Sequence, residues 1–428
     1  MGRPMTLINT AAQPTIGWPI VRRLGQAIAY LCVPATLIVG PSIESMVSVL
    51  IGIYLLAAIG FVAVVRGANV PAIVVQIGYF MLAWYCILFA IELINGDLVK
   101  YPRPINSDFL STYFILLALP FLAMGLREVG VDFATLEKVV MATVVLAAGW
   151  SMYQYFALRV FRPGGLNGLN PITFGMIVTL WSLFLLAHAM GSKNIRITPA
   201  AVAMAGLIPV LLGASKLIWA CAALGYAMIF LWWFWTSRQW LMLGAVAVAT
   251  AGAGLLVSRI PFVQRRMAEF SGELTAFVTT GDTSGQTFGL RFAAATSGWL
   301  AFADRPFTGY GLADVKLAAV TNRPEHVADI TQLWHLHNQY ITHLVAFGVL
   351  GVVFLISLLT AFAVVAWRTR DVSLQRFGAT AALMLSIYMS VELFFPRTPL
   401  YGTVFLLFAL LLVAAADRES SAIQAKRG

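Results

Sequence analysis

Apolar runs of about 20 residues, the length an α-helix needs to cross a hydrocarbon layer, recur along the whole chain. About twelve stretches reach the range of about 17 to 25 residues that spanning requires. They lie near 24 to 40, 45 to 65, 70 to 93, 109 to 126, 137 to 157, 171 to 190, 197 to 214, 217 to 235, 239 to 257, 339 to 366, 375 to 395 and 399 to 416. Hydrocarbon offers a backbone no hydrogen-bond partners, so such runs must fold as helices. Of the 428 residues, 60% are hydrophobic and only 11% are charged, against about 25% charged in soluble proteins. The expected fold is an all-α polytopic membrane protein with about 12 transmembrane helices and one long, partly helical loop. Arg22 and Arg23 precede an apolar run with no small-residue cleavage site after it, so the first helix is expected to be retained.

Charge sets the expected sidedness. With a cytoplasmic N-terminus, the inside segments hold Arg22, Arg23, Arg66, Arg127, Lys138, Lys193, Arg196, Arg238, Arg368, Arg370, Arg376 and Arg418, with Arg3, Lys426 and Arg427 at the termini. The short outside segments hold only Lys100, Arg103, Arg159, Arg162, Lys216 and Arg397. Short loops rich in Lys and Arg stay in the cytoplasm. Both termini are therefore expected inside and the long segment 258–338 outside. The chain then divides into spans one to nine (1–257), the outer loop (258–338), and spans ten to twelve with a cytoplasmic tail (339–428).

The net charge of +10 is spread between hydrophobic runs and forms no basic soluble face, which argues against nucleic acid. Membrane lipid headgroups and anionic substrates are the expected partners. Cys32, Cys86 and Cys221 fall inside apolar runs and imply neither a disulfide framework nor a metal cluster. The two halves show no repeat in hydropathy or loop length, which counts against a common secondary-transporter plan.

Polar chemistry collects between Arg291 and Gly351, and charged or polar groups at a membrane edge point to function. His337 and Asn338 open the tenth expected span. A histidine there can take a proton from a hydroxyl or serve as an interface residue, and residue chemistry alone leaves both open. His335, two residues earlier, either orients and binds or is a solvated loop residue. Arg291 and Lys216 are suited to hold an anionic group, and equally to snorkel to lipid phosphates. The segment 159–171 combines Arg159 and Arg162 with Gly164, Gly165, Asn167 and Asn170, a composition that fits an anion or sugar. Glu92 and Glu392 end apolar spans, and Glu392 lies close in sequence to Arg397. From Arg291 to Ala303, Phe292, Trp299 and Ala303 recur at helical spacing until Asp304 and Pro306, as in a helix lying at the headgroup layer or packed on the bundle. The first outer loop offers Glu44 without a neighbouring Asp, a poor ligand set for a hard divalent cation.

These segments resemble the O-antigen ligase superfamily of bacterial inner-membrane proteins, which also holds O-antigen and exopolysaccharide polymerases. One motif, H-N-x9-G-x-x-G, stands as His337, Asn338, Gly348 and Gly351. R-x14-P-x2-G-x-G is matched by Arg291, Pro306, Gly309 and Gly311, with Ala295 where the family often has Trp. R-x2-G-x4-N-P is met by Arg162, Gly165, Asn170 and Pro171, and a Ser-Arg element appears as Ser215 and Lys216. The resemblance implies inverting glycosyl transfer without metal or cofactor, on the periplasmic face. It implies an undecaprenyl-diphosphate-linked glycan as donor and lipid A-core as acceptor, or a growing glycan for a polymerase. His337 would be the base, with Arg291 and Lys216 on the leaving diphosphate. Arg159, Arg162, His335, Asn338 and Glu392 would be further contacts. Packing is the expected task of Gly348 and Gly351, and His343 is expected to be a helix-contact residue.

Overall fold

The computed structural model describes residues 19–38, 43–95, 106–192, 194–239, 244, 248, 252, 254–283, 285, 288–333, 335–395 and 399–427. Arg3, Lys100, Arg103, Lys193 and Arg397 lie outside these residues, as do the side chains of Glu44, Asn167, Lys426 and Arg427 and most of the span expected at 239 to 257. The described residues are helical throughout, without strands, and include 6 helices long and apolar enough to cross a membrane. This is a multi-pass helical membrane protein.

In chain order the helices are α1 (Pro19–Ile38), α2 (Ile43–Val65), α3 (Ala72–Ile94), α4 (Asn106–Val129), α5 (Phe133–Met152, continued by a π-turn), α6 (Pro171–Ala189), α7 (Ile197–Ala205), α8 (Leu207–Leu212) and α9 (Lys216–Ser237). Then come α10 (Pro261–Thr280), α11 (Gly289–Asp304), α12 (Val315–Thr321), α13 (Gln339–Phe347), α14 (Val349–Arg368), α15 (Val372–Met389) and α16 (Pro399–Arg427). α6 and α16 are buried on nearly every side and form the centre of the bundle. A helix that is apolar all round needs such a place. α2 and α4 pack backbone to backbone: a Cβ on Gly60 would meet Phe121 O at 1.9 Å, and one on Gly125 would meet Leu56 O at 1.9 Å. Small residues permit this approach where lipid supplies no hydrophobic drive between helices.

The connections gather at two ends. At the end expected inside, Arg127 pairs with Asp417 at 3.1 Å, Arg196 grips Glu137 with both guanidinium nitrogens at 2.6 and 2.8 Å, and Arg376 donates to Met190 O. At the other end Asn95 Nδ2 donates to Thr308 O, Leu312 N to buried Glu92, and Arg162 Nε to Gly213 O. Segment 258–338 joins the second end and is mostly helical, through α10, α11 and α12.

Two expected spans are interrupted. The span at 197 to 214 is α7 and α8, separated at Gly206. Pro209 supplies no N–H to the Ala205 carbonyl, and Gly206 lies so close to α6 that a Cβ would meet Ser182 Oγ at 1.9 Å. The span at 339 to 366 breaks at Gly348, where φ is +63° and ψ is −155°. That break frees carbonyls of α13 and the first amide of α14, and the loop after α11 takes them up. Tyr310 N donates to Val345 O at 2.8 Å, Gly311 N to Ala346 O at 3.0 Å, and Val349 N to Pro306 O at 2.8 Å.

Gly348 and Gly351 therefore serve close packing, as expected, Gly348 against the loop after α11 and Gly351 against the backbone of α13. A Cβ on Gly348 would meet Pro306 O at 2.5 Å, and one on Gly351 would meet His343 O at 2.3 Å. At φ +63° and ψ −155° Gly348 occupies a region essentially reserved for glycine, so Gly348→Ala is expected to cost about 1–3 kcal/mol from the backbone alone, and more from the clash. Gly67→Ala, at φ +87° with nothing within 4 Å, carries the backbone cost only. Thermal midpoints in detergent should therefore fall further for Gly348→Ala than for Gly67→Ala.

Candidate functional site

The H-N motif is a helix start with a strained residue before it. His337 stands in the left-handed region at φ 49°, uncommon for a non-glycine residue. Asn338 caps α13 by accepting from Ile341 N at 3.0 Å, and its Nδ2 donates to Ser390 O at 2.9 Å. The cap thus ties the start of α13 to the end of α15. Glu392, two residues beyond Ser390, is brought against His337 with Nδ1 to carboxylate distances of 3.1 and 3.3 Å.

Burial acts to raise the Glu392 carboxyl pKa, but the hydrogen bond and charge of His337, together with the Leu393 N–H, hold it below the ordinary value. Glu392 is thus an ionised acceptor, which assigns the His337 proton to Nδ1 and leaves the Nε2 lone pair available. The His335 ring lies 4.1 Å from that of His337, centroid to centroid, and its Nδ1 accepts from His337 N at 3.2 Å. Burial, then the His337 charge, lowers the His335 pKa to about 4, against the pull of Glu392. His335 is therefore neutral at neutral pH. The pairing expected from the nearness of Glu392 to Arg397 lies outside the described residues.

Beneath this pair runs a buried polar network. Gln339 Oε1 accepts from Phe394 N and Phe395 N at 2.6 and 2.7 Å, and its Nε2 stands 2.7 Å from His343 Nδ1. With its carbonyl taken, Gln339 donates to Nδ1. The His343 proton is then on Nε2, 3.0 Å from Tyr113 OH. His343 is a helix-contact residue, as expected.

A cluster of cations adjoins the histidines. The inner face of α11 carries Ala293, Ala294, Ser297, Gly298 and Ala301, all buried. At Gly298 a Cβ would meet the Ile341 side chain at 2.3 Å. This tight seating on α13 leaves Arg291, in the first turn of α11, close enough for its charge to act on His335. Phe292 and Trp299 remain exposed on the opposite face, available to a headgroup layer. The charges of Arg266 and Arg291 also act on Arg162 and on Lys216. Burial first, and then repulsion from Arg266 and Arg291, lowers the Arg162 pKa. Lys216 opens α9, and its ammonium lies 5.0 Å above the Phe270 ring of α10. Among the described residues that buried ammonium has no hydrogen-bond partner. The carboxylates of Glu273 and Glu269 act on it through charge alone, and because a buried charge without hydrogen bonds is costly, an anion that also accepts hydrogen bonds would complement it.

α10 covers these cations. Phe262 packs against Tyr155, Phe161 and Trp219, and Glu273 accepts from Phe288 N at 3.0 Å, which links α10 to α11. Arg159, expected among the contacts, is exposed at φ 56° and makes no hydrogen bond or ion pair with the cluster among the described residues. Arg159, Ala214 (φ 53°) and His337 are three left-handed non-glycine residues in the loops at this end, and such strain concentrates at functional sites.

Residues 200–356 match the protein-family model described as O-antigen ligase. The chain carries an O-antigen ligase family domain. Its matched segment includes Lys216, Arg266, Arg291, His335, His337, Asn338 and both motif glycines, while Arg162 and Glu392 lie on either side of it. Among curated proteins none matches the chain. Arg266 does not stand out in the sequence. Its signal is local: Arg265 and Arg266 both pair with Glu269, at 3.1 and 2.5 Å, on one turn of an amphipathic helix, which reads in sequence as an ordinary solvated face. Gln339 does not stand out either, because a lone amide in an apolar run has no period.

Gln339→Leu would strip an acceptor from two buried backbone N–H groups, at about 1–3 kcal/mol for each group left unsatisfied. A lowered thermal midpoint with unchanged helix content by circular dichroism is the expected outcome.

Proposed function

We propose that this protein is a metal-independent, inverting glycosyltransferase of the O-antigen ligase type. It moves a glycan from undecaprenyl diphosphate to a sugar hydroxyl of lipid A-core, at the periplasmic face of a bacterial inner membrane. About twelve spans with both termini in the cytoplasm would set segment 258–338 on that face. The observation that carries the proposal is a carboxylate-held histidine whose neighbour His335 feels Arg291, with Arg291 in turn among Arg162, Lys216 and Arg266, one of these a buried ammonium with no hydrogen bond among the described residues.

The chemistry follows from those groups. The acceptor hydroxyl gives its proton to His337 Nε2 as its oxygen attacks the anomeric carbon. Glu392 stabilises the imidazolium that forms and holds the ring in place. The bond from the anomeric carbon to the diphosphate oxygen breaks on the opposite face, so one displacement inverts the centre. Charge gathering on the diphosphate meets Arg291 and Lys216 first, with Arg162 and Arg266 around them. Fixed cations in a water-poor site can supply the stabilisation a metal would otherwise give. A diphosphate leaves as a stable anion, so no general acid is required. Neutral His335 is suited to a sugar hydroxyl, while Asn338 holds His337 in register. Arg159 would meet donor or lipid phosphates at the rim.

Purified protein given lipid-linked glycan, with and without lipid A-core, is expected to form core-linked product only when the core is present. Growth of lipid-linked polymer without core would instead assign a polymerase of the same superfamily. His337→Ala is expected to lower transfer by about 10²–10⁴-fold, with donor binding retained as judged by thermal shift. Arg291→Ala should weaken both, and excess chelator should leave the rate unchanged. Full activity of His337→Ala would remove the base, and strict dependence on a divalent ion would remove the cation mechanism. Loss of Arg266 tests the newly placed cation: Arg266→Ala is expected to raise the KM for the lipid-linked donor about tenfold or more, the scale of a charged hydrogen bond.

A further inference from the structure

His335, His337 and Glu392 present one ligand atom each, and these atoms all lie within 4.8 Å of one another. We infer that the three side chains form a reversible site for a zinc-class divalent transition ion, whose occupancy withholds His337 from the acceptor hydroxyl. The blocking effect rests on His337 being the base; the ion site itself does not.

Geometry and donor type support the site. Tetrahedral zinc with bonds of about 2.0–2.1 Å sets its ligand atoms about 3.3 Å apart. Here His337 Nδ1 is 3.1 Å and His335 Nε2 is 3.8 Å from Glu392 Oε1, so modest side-chain rotation closes the triangle. Two imidazoles and one carboxylate suit zinc, cobalt, nickel or copper, whereas magnesium and calcium require more oxygen. The ligands come from two elements already fastened together by the Asn338 to Ser390 hydrogen bond. Both histidines are partly open to solvent, at 35% and 25% side-chain exposure, which gives an ion a route in.

The surroundings also limit affinity. A ligating histidine ordinarily donates its other N–H to an acceptor, but His335 Nδ1 faces the His337 backbone N–H at 3.2 Å. Ligation through Nε2 moves the His335 proton to Nδ1 and breaks that contact. The positive charge of Arg291 acts on the same ring and opposes a cation. A weak, exchangeable inhibitory site follows, in place of a permanent structural one.

The test uses the full chain in detergent after chelator treatment. Calorimetric titration with zinc chloride, without any glycan, is expected to show one saturable site, and cobalt(II) is expected to give visible ligand-field absorption at the same stoichiometry. His335→Ala and the near-isosteric Glu392→Gln should each weaken zinc binding at least tenfold, while Lys216→Met, outside the ligand set, should not weaken it. In transfer assays zinc should slow the intact protein in proportion to occupancy, and chelator should reverse this. No saturable binding, or binding indifferent to both substitutions, overturns the site. Zinc that accelerates transfer overturns the inhibitory role. Protein that binds zinc through these residues yet transfers no glycan supports the ion site and counts against the glycosyltransferase reading alone.

Discussion

The structure depends on a break in a helix and on what satisfies it. At the depth where a membrane begins, a backbone group without a partner costs several kcal/mol, roughly the value for a buried polar group. Gly348 opens such groups between α13 and α14, and Pro306, Tyr310 and Gly311 close them. Glycine is required on both sides because the two backbones touch. A Cβ on Gly309 would meet Ala346 O at 2.3 Å, as one on Gly348 would meet Pro306 O. The two glycine motifs are therefore halves of one joint, which docks the end of α11 against the end of α13. That docking keeps Arg291 near the histidines.

Around the joint, electrostatics divides the site into two parts. On one side a buried carboxylate fixes the tautomer of His337 and leaves the Nε2 lone pair to accept a proton. On the other, Arg162, Lys216, Arg266 and Arg291 lie within electrostatic reach of one another, with Glu269 and Glu273 of α10 offsetting part of their repulsion. Close cations gain from an anion between them, and a histidine backed by a carboxylate gains from a proton.

The helices were legible because hydrophobicity over about 20 residues is a local property. So were His337, Arg291, Lys216 and Arg162, which stood out as polar groups among apolar runs or in motifs with fixed spacing. The two interruptions were not legible. Apolar residues on both sides of Gly206 and Gly348 read as continuous, and the atoms that make the breaks necessary belong to α6 and to the loop after α11. Arg266 was hidden for a different reason, since its pairing with Glu269 resembles any helix surface until Lys216 and Arg162 are seen beside it.

By itself the sequence determined the helical membrane class and the residue types able to bind an anion and take a proton, because each depends on composition or on spacing along the chain. Only the tertiary structure decided that Glu392, 55 residues after His337, is the partner that orients it, that Asn338 caps α13, and that Arg159 stands apart while Arg266 joins. Those assignments turn on distances of 3 to 4 Å between elements remote in sequence, and spacing along a chain does not encode which helix ends meet.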